Sequence, residues 1–363
     1  MKLLYITYID FDGKGKSGSS VRPQKMYKAF LQMGLDVKLL ECQQNKFKER
    51  RKRVKEILHW LDNNTPDLCY IESPSGPIFN QIDLKLIKKV HDMGVPIGYF
   101  LRDAFWKFPI LQKNISFVKK EIINAMCKRD LHLLMKNCDI IYFPTKSFAG
   151  LFNLKKIKHW DALPPAVDVE ESLIEVHSKD LKRNCIYVGA VSKLDGTIEL
   201  LKAFKKLNNE GCNISLILVC RENEWNKLNA EFKLNEIIDS KWLKVVHTSG
   251  SELKQYYDLA DVALFPRQST LALEVAMPVK LFEYLSYYKP IISTKRTEVK
   301  NFIEKNHCGI VCDDDSASIA EAIEEFYANS TLRADLQKNV VETAMRNKWV
   351  DRAQKVINDV LGL

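Results

Sequence analysis

Short apolar runs alternating with stretches of helical periodicity narrow what this chain can fold into more than any other feature. Residues 2–8, Lys-Leu-Leu-Tyr-Ile-Thr-Tyr, read as a buried strand. After a polar glycine loop, Pro23 opens a helix carried by Met26, Ala29, Phe30 and Met33 and ended at Gly34. Strands follow at 37–40, 68–72, 96–101 and 139–143, with helices around 48–62, 81–93 and 115–136. This strand-helix-strand rhythm builds a parallel sheet covered by helices. It breaks at Leu163-Pro164-Pro165-Ala166-Val167-Asp168 and the charged residues up to Asn184, which carry linker chemistry. It then restarts, with strands at 185–189, 213–220, 243–247, 261–265 and 290–293 and helices at 196–210, 251–259, 278–288, 316–328 and across 331–361. Two α/β units in tandem predict two Rossmann-like domains, 1–165 and 166–345, facing across a cleft. Residues 346–363 are expected to form a helix packing back toward the first.

The 363 residues, 46% hydrophobic and 28% charged, suit a soluble two-domain protein and exclude disordered, collagenous and small disulfide-framework classes. No run approaches the roughly 20 apolar residues of a membrane span, and the first apolar run ends too early to be a secretory signal, so a cytoplasmic location is expected. The nine cysteines form no CxxC pair and lie in apolar surroundings, which reads as buried free thiols rather than disulfides or a zinc site. The net charge of +9 is uneven. Residues 1–165 hold 29 Lys and Arg against 16 Asp and Glu, whereas 166–363 hold 26 against 30. A basic half implies an anionic partner. Seven basic residues against one acid between 46 and 55, followed by Val54, Ile57, Leu58 and Leu61 at helical spacing, suggest peripheral contact of the 46–61 helix with anionic lipid. A solvated basic face over an ordinary core stripe is the plainer reading. No nucleic-acid motif accompanies it.

Gly13-Lys-Gly15-Lys-Ser-Gly18 is a literal GxGxxG after a strand, with Glu41 placed like a ribose-binding acid. Three residues separate the strand from Gly13, and a helix start at Pro23 falls after the third glycine, so a substrate-facing loop with Gly18, Ser19 and Arg22 is preferred over a dinucleotide cradle. The strand ending at Leu101 delivers Arg102 and Asp103 to the carboxyl edge of the first sheet, where open α/β sheets bind ligands. A carboxylate there can take a proton from an acceptor hydroxyl.

The sharpest signal is Asp261-Val-Ala-Leu-Phe265-Pro266, then Ala276-Met277-Pro278-Val279-Lys280-Leu281-Phe282-Glu283-Tyr284-Leu285 opening a helix. That helix aims free N–H groups and its positive dipole end at whatever lies beyond it, which suits a diphosphate. Lys280 adds a full charge and Glu283 accepts from ribose hydroxyls. Lys193 supplies a second cation from the loop after the 185–189 strand, beside Gly189. Over about 185–310 the sequence resembles the nucleotide-sugar glycosyltransferases of the two-domain GT-B fold, the large retaining family of bacterial capsule, lipopolysaccharide and glycolipid transferases.

The resemblance implies a nucleoside-diphosphate-sugar donor, a glycan or lipid-linked acceptor and no metal cofactor. It places the backbone of Ala276, Met277, Pro278 and Leu281 at the donor, Arg221, His247 and Thr248 near the base, and Trp349 as the anchor of the returning helix. Lys193, Lys280, Glu283 and, by position, Asp103 are the catalytic candidates. The family pattern of two loop cations and two glutamates separated by seven residues is incomplete here. Lys193 stands alone in its loop, the position of the first glutamate is Val275, and Glu274 is one residue off. A scaffold that has lost turnover, a sugar-nucleotide epimerase and a nicotinamide-dependent oxidoreductase remain as alternatives.

Overall fold

The computed structural model describes residues 1–11, 18–169, 181–234, 238–239 and 241–362. The chain divides into two compact units, Met1–Ala166 with Trp349–Leu363, and Val167–Lys348.

In the first unit the order is β1 (Lys2–Ile6), α1 (Gly18–Gln32), β2 (Asp36–Leu40), α2 (Phe47–Leu61), β3 (Leu68–Glu72), α3 (Gln81–Asp92), β4 (Ile97–Phe100), α4 (Phe117–Asn137), β5 (Ile140–Phe143), α5 (Lys146–Ala149) and β6 (Trp160–Ala162). The strands form one parallel sheet in the order β2-β1-β3-β4-β5-β6. β1, β3, β4 and β5 are apolar on both faces because helices cover both sides. In the second unit come β7 (Asn184–Val188), α6 (Thr197–Asn209), β8 (Ser215–Val219), α7 (Glu222–Phe232), β9 (Leu243–Val246), α8 (Leu253–Asp258), β10 (Val262–Phe265), α9 (Leu271–Glu274), α10 (Val279–Ser286), β11 (Ile291–Thr294), α11 (Thr297–Asn306), β12 (Gly309–Cys312), α12 (Ser316–Ala328) and α13 (Ser330–Met345). Its parallel sheet runs β12-β11-β10-β7-β8-β9. Both sheets are the doubly wound α/β type expected of GT-B halves.

The last helix, α14 (Trp349–Leu361), belongs to the first unit. Trp349, Ala353, Val356, Ile357 and Val360 are buried, in the same apolar cluster as Met26, Phe30, Tyr70 and Tyr142. The side chain of Val360 comes so close to β4 that a Cβ on Gly98 would lie 2.8 Å from it, so glycine at 98 is what admits the helix to the sheet. Residues 331–361 are therefore two helices, α13 and α14, parted at Arg346–Lys348.

Three expectations change. Helix α1 begins at Gly18, five residues before Pro23, which lies inside it. The third glycine of the GxGxxG run thus opens the helix, while residues 13–17 lie outside the described residues. The Leu163–Val167 segment is not a loose linker: Leu163, Ala166 and Val167 are buried, and the carbonyls of 163–165 accept bonds from Arg22 and Arg352. In α2 the stripe offered to lipid is turned inward. Val54 is 0%, Ile57 3% and Leu61 3% exposed, and Arg50 is enclosed with them, so most of the stripe is core and only Leu58 stays half-buried.

Candidate functional site

In the second unit the chain runs from β7 outward through β8 and β9, then returns to lay β10 on the other side of β7. The loops after β7 and β10 leave the carboxyl edge there, the standard ligand position of such sheets. Gly196, in the left-handed region at φ +74°, closes the post-β7 loop. A Cβ there would lie 1.7 Å from the Pro266 carbonyl oxygen, so only glycine lets the two loops touch. Two further ties hold them. The Gln268 amide donates to Leu194 O at 3.0 Å, and Arg267 forks onto Asp195 at 2.7 and 2.9 Å.

Helix α10 starts where the sequence placed it. Pro278 is its N-cap, no side chain closes the end, and Leu281, Phe282, Tyr284 and Leu285 are buried beneath. The Tyr284 hydroxyl donates to Leu264 O at 3.0 Å, pinning the helix to the end of β10. The Leu281 amide already donates to Pro278 O at 3.3 Å and the Ala276 amide to Leu273 O at 3.4 Å, so the amides of Val279 and Lys280 are the ones the open end offers to an anion. Lys280 and Glu283 bond to each other at 2.8 Å on the half-buried face, and the other Glu283 oxygen accepts from Tyr257 at 2.9 Å, itself stacked on Tyr287. Glu283 is thus held rigidly, and a ribose hydroxyl must share its oxygens with these partners.

The remaining donor-side candidates sit along the same edge. Gly189 follows β7 and its amide donates to Val219 O at 3.0 Å, and Lys193 lies in the loop beyond it. Arg221 caps α7 with its guanidinium on Glu224 at 2.7 Å. His247 turns Nδ1 toward Cys220 O at 3.1 Å, and Thr248 donates to Glu252. Glu274, one position from the family glutamate, accepts from Ser269 and from the Thr297 amide and hydroxyl at 2.7 and 2.5 Å. Burial pushes its carboxyl up, but these bonds win and hold it below its ordinary value. Its role is to tie the 268–278 segment to the start of α11. Asp313 and Asp315 serve locally, pairing Lys295 and capping α12. Among the described residues no group of three His, Cys, Asp or Glu side chains converges on a point.

In the first unit the topological reversal lies between β1 and β3. Arg22 reaches it from α1 but is 4% exposed, with Nε on Glu72 at 3.0 Å, Nη1 on Leu163 O at 3.0 Å and its plane 3.7 Å from the Phe100 ring centroid. It holds the core together and is withdrawn from the acceptor set. Gly18 and Ser19 open α1, and the Ser19 side chain is outside the described residues. Arg102 and Asp103 follow β4, half-buried, as expected. Burial raises the Asp103 carboxyl, although the Phe105 amide at 2.9 Å and Arg102 oppose the shift. A carboxyl kept above its ordinary range is a better proton acceptor than a free aspartate.

Sequence reasoning missed Arg267, Asp195, Tyr257 and Arg296. Arg267 stands two residues past a strand, the rule that found Arg102, and that signal was available. The pairing of Asp195 with it was not.

The profile of the family "Glycosyl transferases group 1" matches residues 182–329. No curated protein matches the chain. Among solved structures, an α,α-trehalose-phosphate synthase (UDP-forming) from Burkholderia vietnamiensis superposes with a TM-score of 0.68 at 12% identity, covering 100% of this chain and 99% of its own. HepE of Anabaena in complex with UDP gives 0.63 at 13% identity with 100% of each chain covered, and sucrose-phosphate synthase from Thermosynechococcus elongatus gives 0.65 at 12% identity, covering 99% and 98%. The fold is GT-B, and with a group 1 domain filling most of the second unit the chain is a glycosyltransferase.

Proposed function

We propose that this glycosyltransferase takes a sugar from a nucleoside diphosphate, UDP in the first instance, and moves it with retention to a glycan or lipid-linked acceptor in surface polysaccharide or glycoconjugate synthesis. The uncapped start of α10, with Lys280 in its first turn at the carboxyl edge beside β10, carries the reading. As the sugar–phosphate bond breaks, charge accumulates on the diphosphate, and fixed amides, Lys280 and Lys193 stabilise it without reorganisation. No metal is required by that arrangement. The acceptor is expected at Arg102 and Asp103, with a donor phosphate oxygen receiving its proton in a same-face displacement. HepE binds UDP and the Burkholderia synthase forms it, which supports the choice of base.

A thermal-shift panel of UDP, GDP, dTDP, CDP and NAD on the wild type and Glu283→Ala tests this. Stabilisation by one nucleoside diphosphate, lost in the variant, is expected. A response to NAD alone, or to none of the five, refutes it.

A further inference from the structure

Arg296 follows β11 at the carboxyl edge of the second sheet and is 1% exposed. Its guanidinium lies 4.4 Å from the Phe265 ring centroid, yet Nε, Nη1 and Nη2 all lack a hydrogen-bond partner among the described residues. A buried cation with five unused donors is costly unless an acceptor arrives. The two carboxylates of its neighbourhood are committed: Asp195 to Arg267 and Ser192, Glu274 to Ser269 and Thr297. Arg267 adds a second positive charge, and burial with that repulsion pulls the Arg296 guanidinium down to about 9. The segment above it is lightly held. Helix α9 buries no side chain, Leu271 is 81% exposed, and the ties are Glu274 to Thr297 and Gln268 and Ser269 to Asp314. Such a segment opens at low cost.

We propose that Arg296 receives an oxyanion of the donor when the 268–274 segment lifts. A planar fork of donors matches a phosphate or carboxylate bidentately. The inference rests on the donor reading above, and its chemistry is common to the diphosphate and to a carboxylate on the sugar. The test compares wild type, Arg296→Met and Arg296→Lys by calorimetry and thermal shift, with UDP, UDP-glucose, UDP-glucuronic acid, pyrophosphate and inorganic phosphate. Arg296→Met is expected to keep or raise the ligand-free Tm, because it removes an unpaired buried charge, and to weaken binding at least tenfold. An equal loss for all nucleotides assigns the diphosphate, and a loss confined to UDP-glucuronic acid assigns a sugar carboxylate. A wild type that ignores the nucleotides but responds to phosphate through Arg296 ends the donor reading and, with it, the assignment of Arg296 to the donor. Unchanged affinity for all five probes overturns it, as does a fall in ligand-free Tm with no change in affinity.

A second observation stands independently. Among the described residues, five of the fourteen exposed large apolar side chains fall in residues 110–122: Ile110, Leu111, Phe117, Val118 and Ile122, the first-turn pair at 77% and 68% exposure. Lys113, Lys119 and Lys120 are interleaved with them, against one acid, Glu121. Isolated exposed apolar residues are ordinary, but a cluster ringed by lysines complements an anionic lipid surface. We infer that this turn and the start of α4, immediately after the Arg102-Asp103 edge, are the membrane-docking surface. Co-sedimentation with phosphatidylglycerol-containing vesicles is expected, weakened by salt, and lost in Phe117→Ser with Val118→Ser and in Lys113→Gln with Lys119→Gln and Lys120→Gln, but retained in Lys48→Gln with Lys52→Gln. No binding, equal binding to phosphatidylcholine alone, or self-association abolished by Phe117→Ser overturns it.

Discussion

The carboxyl edges of the two sheets treat charge in opposite ways. In the first unit Arg22 is enclosed with Glu72 and Tyr70, and Arg50 with Asp83 and the carbonyls of Thr7 and Cys42, so both guanidinium groups are occupied, and the buried atoms left without a partner include the carboxylate oxygens Glu72 Oε2 and Asp83 Oδ2. In the second unit the buried atoms without a partner include the three guanidinium nitrogens of Arg296, with Thr197 Oγ1 and Glu224 Oε2, and the helix start of α10 is uncapped. The basic half of the sequence thus spends these cations on its own fold, while the mildly acidic half presents positive potential to a ligand. Net charge per domain says little about where an anion binds. Which buried charges already have partners says much more.

The contrast is broken first by Arg22→Ala. It leaves Glu72 buried without its cation and is expected to cost about 3–5 kcal/mol, read as a large fall in denaturation midpoint, with nucleotide affinity of the folded fraction unchanged. If affinity falls while stability holds, Arg22 belongs to a binding site after all. Next, Gly196→Ala forces a Cβ into the Pro266 carbonyl at positive φ. A loss of about 1–3 kcal/mol in chemical denaturation is expected, accompanied by weaker nucleotide binding because the loop carrying Lys193 moves. Lys280→Ala sharpens the comparison from the other side. Its Tm should move little, since the residue is partly exposed, but calorimetric affinity for a nucleoside diphosphate should drop tenfold or more, about 1.4 kcal/mol.

The smallest effect concerns Asp103. With its carboxyl raised by burial, the acid limb of the transfer rate should lie above the ordinary 3.8 of an aspartate and flatten in Asp103→Asn, with only a modest fall in rate because a donor phosphate oxygen receives the acceptor proton. The sign for stability follows. A raised native value means the folded state binds the proton more tightly, so stability falls as pH climbs through that window, and Asp103→Asn should melt slightly higher than wild type at neutral pH. A lower melting point would show that the carboxylate supports the fold instead.

Much of this architecture was written in local pattern. The runs at Leu68–Glu72 and Ile140–Phe143, the helix starting beside Pro278 and the interruption near Pro164 follow from periodicity, apolar content and proline geometry, which neighbouring residues set among themselves. The positions of Arg102 and Asp103 came from the same source, because residues just past a parallel strand reach the carboxyl edge, and those of Lys280 and Glu283 from the proline that opens α10. What the sequence left open was every feature that depends on residues far apart in the chain. The inward turn of α2, the engagement of Arg22 with Glu72 and Leu163, the Arg267–Asp195 tie and the isolation of Arg296 are settled by which side chains meet across elements. Hydrogen-bond satisfaction is a property of the packed neighbourhood, so composition and spacing identify the charged residues here, and only tertiary structure decides which of them remain unpaired.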